Sequence, residues 1–284
     1  MLRRSLIGRA VRLPRSVAGR LRRGLREARA AIRYQGVLLF LWEAVQQACR
    51  PFWEIEAEIW FVKDLEQVAE PRPLDLDLEV READEADVPA IVDCVIEEDM
   101  PLDPDELPEE IRRRTRLHID RIRLGGACFI AIVKGEIVHV NWTLYRIASS
   151  MLSRMLVLDP TEVVTTDAYT PVRWRGRGIH AVVLNHMLAV AHSRGRDIAY
   201  TMTLLWNRSS RKGIVSLGWR RCGSLFYIRS ERTGKVRALW IGPDKGPFTL
   251  VRMREERLRR RRFYRLRGNR CLVLATFATA TDEG

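Results

Sequence analysis

The residues with the clearest capacity for chemistry lie together in Thr170-Pro171-Val172-Arg173-Trp174-Arg175-Gly176-Arg177-Gly178-Ile179-His180. A glycine-rich turn that opens a helix presents several unbonded backbone N–H groups to one point, and the helix dipole adds partial positive charge there. Arg173, Arg175 and Arg177 bring full charges to the same place. Such a turn suits a phosphate or pyrophosphate, although a glycine at a strand-to-helix junction also serves simply to turn the chain.

The elements around this turn follow from periodicity. Glu162 to Thr170 reads as a strand running into it, and the stretch from about Gly178 to His192 reads as a helix with Ile179, Val182, Val183, Leu184, Leu188 and Val190 mostly inward. Upstream, the alternation of Ile55, Ala57, Ile59 and Phe61 hints at a strand, and Pro71 and Pro73 mark a break. Leu74 to Val80 alternates strictly as a half-buried strand, followed by a helix starting near Asp84 or Asp87 and a second over Asp105 to Ile122. Cys128 to Val133 and Ile137 to Tyr145 form a hairpin about Lys134-Gly135-Glu136. Beyond the turn come a strand over Asp197 to Leu204, a short helix over Asn207 to Leu217 and a strand over Trp219 to Arg229. This order predicts an α/β fold with a mixed, mostly antiparallel central sheet and helices on both faces.

From Leu74 to Arg229 the order of elements and the turn resemble the GNAT superfamily of acyl-CoA-dependent N-acyltransferases. Arg175, Gly178 and the His180 position correspond to the family's pyrophosphate turn, with His180 standing where a small residue is usual. An alternative frame uses Arg173, Gly176 and Gly178. Asn207, followed eleven residues later by Gly218 and Trp219, matches a second family feature, in which the Asn holds the pantetheine arm; Asn207 also suits a helix cap. The resemblance implies acetyl-CoA as acyl donor, no metal, and Tyr169, Thr170, Arg175, Gly176, Arg177, Gly178, Ile179, His180 and Asn207 as donor-binding residues. The family often has a Tyr seven residues after the Asn as general acid, and here that place is Ile214, so Ser216 or Tyr227 is the substitute. An attacking amine must lose a proton, which makes Asp167 the expected base with Glu162 behind it. On neighbouring strand positions His139, Trp142 and Tyr145 are expected at the acceptor, while aromatic residues in a sheet also serve as core.

Charge and cysteine usage bound the remaining possibilities. The net charge of +13 is concentrated at two places, because residues 1–35 carry eleven arginines against Glu27 alone and residues 251–270 carry ten against Glu255 and Glu256. The expected organisation is a basic amphipathic helical extension over 1–53, an acyltransferase domain over 54–250 and a basic extension over 251–284. The apolar run Gly36 to Trp42 is too short to span a bilayer, and the extension is expected to pack on the body, to rest peripherally on an anionic membrane face, or to be disordered. Five scattered cysteines without ligand spacing disfavour structural zinc and a disulfide framework, and the chain reads as cytoplasmic, at the inner membrane face where the extension attaches. His118, His186 and His192 read as structural. Two rival readings are a non-catalytic acyl-CoA-binding scaffold at a membrane and an RNA-binding protein acting through its arginine runs, the latter lacking a recognisable RNA-binding motif. The identity of the amine is open, because acceptor pockets are built from segments without a shared motif.

Overall fold

The computed structural model describes residues 52–68, 74–99, 107–145, 158–230, 235–243, 258–266 and 270–277, together with Cys49 and residues 232–233. The chain divides at Pro51/Phe52, and the unit described here is the second. The helix expected over 1–53 lies outside the described residues, Cys49 and the last two positions apart.

Ten strands form one sheet in the order β2-β3-β4-β5-β6-β1-β7-β8-β10-β9. In chain order they are β1 (Trp53–Asp64), β2 (Glu79–Glu82), β3 (Ala127–Val133), β4 (Glu136–Leu144), β5 (Glu162–Tyr169), β6 (Ile198–Leu204), β7 (Arg220–Ser230), β8 (Val236–Pro243), β9 (Leu258–Leu266) and β10 (Arg270–Phe277). Among the described residues, four α-helices accompany the sheet: α1 (Val88–Asp99), α2 (Leu107–Arg123), α3 (Ile179–Ser193) and α4 (Arg208–Ser216). Every strand pairing is antiparallel except β5 with β6. The mixed, mostly antiparallel sheet with helices on both faces is the fold the sequence predicts.

Alternation divides the side chains cleanly between those faces. Ala127, Phe129, Ala131 and Val133 of β3 pack with Ile179, Val183, Leu184 and Leu188 of α3, joined by Ile59 and Phe61 of β1. Cys128 and Ile130 point the other way, into a cluster with Ile91 of α1 and Trp142 of β4. Farther along that second face, Trp60 packs with Tyr200, Leu225, Tyr227 and Trp240. Helix α1 begins at a capping box in which Asp84 accepts from the Ala86 amide, and Asp87 is clamped by both terminal nitrogens of Arg81 at 2.7 Å.

Three departures from the sequence-based reading matter for the site. The strand expected over 74–80 starts only at Glu79, because Leu74, Leu76 and Leu78 pack on the core without a pairing neighbour. The alternating Trp53–Asp64 segment, read as a strand, lies in the middle of the sheet, its Glu58–Asp64 half paired with β6 and its Trp53–Val62 part with β7. Residues 251–284, expected as a basic extension, contribute β9 and β10, which continue the sheet beyond β8.

The junction of β1, β7 and β8 is tightly closed. Gly223 sits opposite Trp60, and a Cβ at Gly223 would overlap the Trp240 indole. Gly223→Ala is therefore expected to destabilise the protein by about 1–3 kcal/mol through overpacking. Chemical denaturation of the variant measures it, and an unchanged midpoint would contradict the packing described.

Candidate functional site: a cleft through the split sheet

The parallel pair β5/β6 is in register only from Glu162/Ile198 to Thr165/Thr201. At the last rung the Thr201 hydroxyl donates to the Thr165 carbonyl at 3.2 Å. Beyond it β5 bulges: β4 advances from Val140 to Trp142 while its partner on β5 changes from Tyr169 to Thr166, and Asp167 takes a left-handed φ of 51°. The strands part there, and a cleft of about 1000 Å³ opens between them. Its walls come from both faces of the sheet. His139, His180, Leu184 and Ile214 line it on the α3 face, while Glu58, Tyr227 and Arg121 line it on the other.

The arginine–glycine turn forms the mouth. Pro171 precedes a single helical turn, Val172–Trp174, after which Arg175 is extended and Gly176 and Gly178 take φ of 76° and 79°. Only glycine adopts such values readily, so both are required by the path of the chain. Among the described residues, the amides of Gly176, Arg177, Gly178, Ile179 and His180 have no backbone acceptor, whereas those of Trp174, Arg175, Ala181 and Val182 do. Five free N–H groups at the positive end of a 15-residue helix make an anion cradle. Arg175 donates from Nε to the Thr170 carbonyl at 2.8 Å and lies 5.9 Å from the Tyr169 ring centroid. Arg177 rests 4.8 Å from that of Trp174. Arg173 is drawn aside by an ion pair with Glu136, so of the two possible frames the one led by Arg175 borders the cleft.

His180, where a small residue was anticipated, turns toward His139. Their facing nitrogens, His180 Nδ1 and His139 Nε2, are 3.4 Å apart, and His139 Nδ1 is 2.7 Å from the Thr170 hydroxyl. Burial, reinforced by His180, pushes the His139 pKa well below its ordinary value, and burial lowers that of His180. Both imidazoles are thus neutral at neutral pH, and the pair is a hydrogen-bonding wall. Asn207 borders the same cleft and caps α4, its side-chain oxygen accepting from the Ser210 amide at 3.0 Å.

The remaining predicted residues divide between cleft and scaffold. Asp167 lines the cleft, half exposed, but Arg121 Nη1 sits 2.5 Å from its Oδ2. Tyr227 lines the cleft too. Glu162 is at the closed end of the β5/β6 pair, where it accepts from the Tyr200 hydroxyl and the Asp159 amide at 3.0 Å each, so it holds strands together and does not border the cleft. Ser216 donates to the Gly213 carbonyl on exposed α4 surface. Of the three residues expected at the acceptor, only His139 borders the cleft. Trp142 is wholly buried, stacked on His118 with Arg121 over its ring, and Tyr145 packs beside Arg194 and Arg196. Alternation places a residue on a face and leaves its depth open, which is why these two belong to the scaffold.

Among the cleft residues that the sequence reading did not single out, Glu58 is the one with an acidic side chain. Glu58 of β1 is 7% exposed, stands opposite Leu204 and Leu225, and accepts from Trp60 Nε1 at 2.8 Å through Oε2. Burial, with the Glu56 charge adding to it, pushes its carboxyl up to about 7 although the Trp60 hydrogen bond works in the opposite direction. The only signal in the sequence is the alternating Glu54-Ile55-Glu56-Ala57-Glu58, which reads equally as a solvated strand face.

No family model matches the chain, and no curated protein matches it in sequence. Solved structures of similar fold include a conserved Staphylococcus epidermidis protein of unknown function, at 8% identity and TM-score 0.45 over 65% of this chain and 64% of that one. A GNAT-family acetyltransferase from Colwellia psychrerythraea aligns at 13% identity and TM-score 0.44, covering 66% and 60% respectively. A GCN5-related N-acetyltransferase from Sphaerobacter thermophilus aligns at 16% and 0.42, covering 66% and 56%. This chain thus spans less than two thirds of the length of each.

The raised Glu58 carboxyl links folding to pH. A carboxyl whose folded pKa lies above its unfolded value stabilises fully below the unfolded value of about 4.5, and that contribution is lost as pH rises through about 7. Glu58→Gln keeps an acceptor for Trp60 and removes the titration. The variant is expected to gain stability relative to wild type between pH 4.5 and pH 8, by up to about 3 kcal/mol. Denaturation at the two pH values reads this difference, and equal wild-type and variant changes would show that Glu58 is solvated.

Proposed function

We propose that this protein is an N-acyltransferase that takes an acyl group, acetyl in the simplest case, from acyl-CoA and passes it to an amine. The observation that carries the reading is the cradle of unbonded amides from Gly176 to His180, set at the mouth of a split that leads through the sheet. The fit to the donor is chemical. A pyrophosphate takes free N–H groups and a helix N-terminus, with Arg175 and Arg177 beside it, and the two glycines keep the approach clear of Cβ atoms.

Past the last shared rung, Thr166–Tyr169 and Met202–Leu204 no longer pair with each other, so strand edges line the cleft. Those edges suit an extended arm bearing amides, such as pantetheine, which would bond to the backbone as an added strand does. Asn207 at the same wall offers a side-chain amide to that arm. A thioester held in the split is open to attack from the opposite face of the sheet. There the amine nitrogen forms a bond to the carbonyl carbon, the carbon–sulfur bond breaks, and the thiolate needs a proton. Tyr227 is the hydroxyl that supplies it in this reading, in the absence of a Tyr at Ile214. Proximity and orientation of two bound reactants account for a large part of such a rate enhancement.

Gly178→Val tests the cradle directly. The left-handed φ of Gly178 resists a β-branched side chain, and a Cβ there would come within 3.1 Å of Leu74 Cδ2. Calorimetric affinity for CoA is expected to fall at least about 100-fold, the scale of losing several charge-assisted hydrogen bonds. Equal affinity of wild type and variant, both folded, would remove the turn from donor binding. Release of free thiol from acetyl-CoA against a panel of amines then tests the transfer.

A further inference from the structure

We infer that Glu58 is the base of the acceptor side, holding the acceptor as an alkylammonium ion and taking its proton. This rests on the acyl-transfer reading and narrows its acceptor to aliphatic amines, which are cationic near neutral pH.

Geometry selects Glu58 in three ways. It lines the cleft on the face opposite α3, since it shares the parity of Trp60, whose cluster lies on that face, while Ile59 and Phe61 pack against α3. A donor seated in the cradle on the α3 side and an amine arriving from the Glu58 side would therefore meet through the split. Secondly, the carboxylate is fixed without being used up. Trp60 Nε1 bonds Oε2, and Oε1 has no hydrogen-bond partner among the described residues. Thirdly, no arginine or lysine among the described residues pairs with Glu58. A carboxylate removed from water without a counter-ion takes either a proton or a cation. The cleft brings it the cation.

Asp167, the other carboxylate of the cleft, is already matched by Arg121 and half exposed. Around Glu58 the charged and titratable neighbours on its face are few. Glu56 precedes it on β1, Tyr227 stands opposite Glu56 on β7 with Arg229 two residues beyond, and Tyr200 of β6 is bonded to Glu162. Leu204 and Leu225 flank it directly. Burial, with a smaller contribution from the Glu56 charge, pushes the carboxyl up to about 7 against the Trp60 hydrogen bond, and the Glu56 charge also favours a cationic guest.

An alkylammonium, R–NH3+, gives one proton to Glu58 Oε1. The freed nitrogen lone pair forms the C–N bond with the thioester carbon. As the C–S bond breaks, the Tyr227 hydroxyl gives its proton to sulfur and takes the second nitrogen proton in its place, and the amide retains the third. Glu58 returns its proton to solvent, so the net products are amide, CoA thiol and one proton.

The test uses the full chain, acetyl-CoA and n-butylamine, with wild type compared to Glu58→Gln and Glu58→Asp. CoA affinity is measured first in all three by calorimetry and is expected to be equal. Wild-type kcat/KM for butylamine is expected to rise about tenfold per pH unit and to level near pH 7. Glu58→Gln is expected to lose about 100-fold in turnover and the break near pH 7, with Glu58→Asp restoring part of the rate and the break. If CoA binds none of the three, the acyl-transfer reading fails and the proposal with it. If CoA binds and butylamine is not acetylated, or is acetylated by Glu58→Gln at the wild-type rate and with the same pH profile, the role of Glu58 is overturned while donor binding stands.

Discussion

The parting of β5 from β6 after Thr165 and Thr201 is the constraint on which the candidate site depends. Adjacent strands in a sheet ordinarily stay paired, because an unpaired backbone group away from water is costly. Here each strand is held by its other neighbour. The bulge at Asp167 turns β5 along β4, and Arg121, itself lodged over Trp142, fixes that bulge by its ion pair. On the far side β6 is zipped to β1 over seven residue pairs, and β1 is zipped in turn to β7. Two well-packed slabs thus meet along a short seam and separate beyond it. The opening is a property of the packing and needs no loop to create it.

The split also sorts the charges. On the α3 side are unbonded amides, a helix N-terminus and Arg175 with Arg177, and the histidine pair beside them is neutral. Neutrality there has a physical cause, since an imidazolium at a helix N-terminus faces both desolvation and the positive end of the dipole. On the opposite side Arg121 and Asp167 pair with each other, which leaves the buried Glu58 carboxyl without a cationic partner among the described residues. A single concave site with both characters would let its charges pair internally and leave little field for ligands. Separated by the thickness of a sheet, each keeps its own.

Much of this was legible in the sequence where structure is local. The order of elements from β3 to β7 follows from alternation, helical periodicity and the turn at Lys134-Gly135, and the anion cradle follows from Arg175 to Ile179. What escaped depends on non-local pairing. A period of two identifies β1 as a strand, yet nothing in Trp53–Asp64 names β6 and β7 as its neighbours. The same ignorance hid Glu58, whose burial comes from Leu204 and Leu225, far off in the chain. Asp167 looked like a free carboxylate because neither the bulge nor Arg121, 46 positions earlier, is a sequence motif. The arginine-rich 251–270 segment looked like an extension because charge density outweighed alternation, although its partner strand Cys271 to Phe277 is apolar enough to belong to a sheet.

The placement of β1 joins these threads. A strand inserted beside β6 carries its alternating side chains to both faces at once, so Ile59 and Phe61 bind it to α3 while Trp60 and Glu58 belong to the other side. Packing therefore fixes the position of the carboxylate as firmly as it fixes the core. An acidic side chain on a loop would sit in water near its ordinary pKa and would be a poor base for an ammonium ion near neutrality. Built into a central strand between two leucines, the same side chain is desolvated by the fold itself, and its carboxyl is pushed up to about 7.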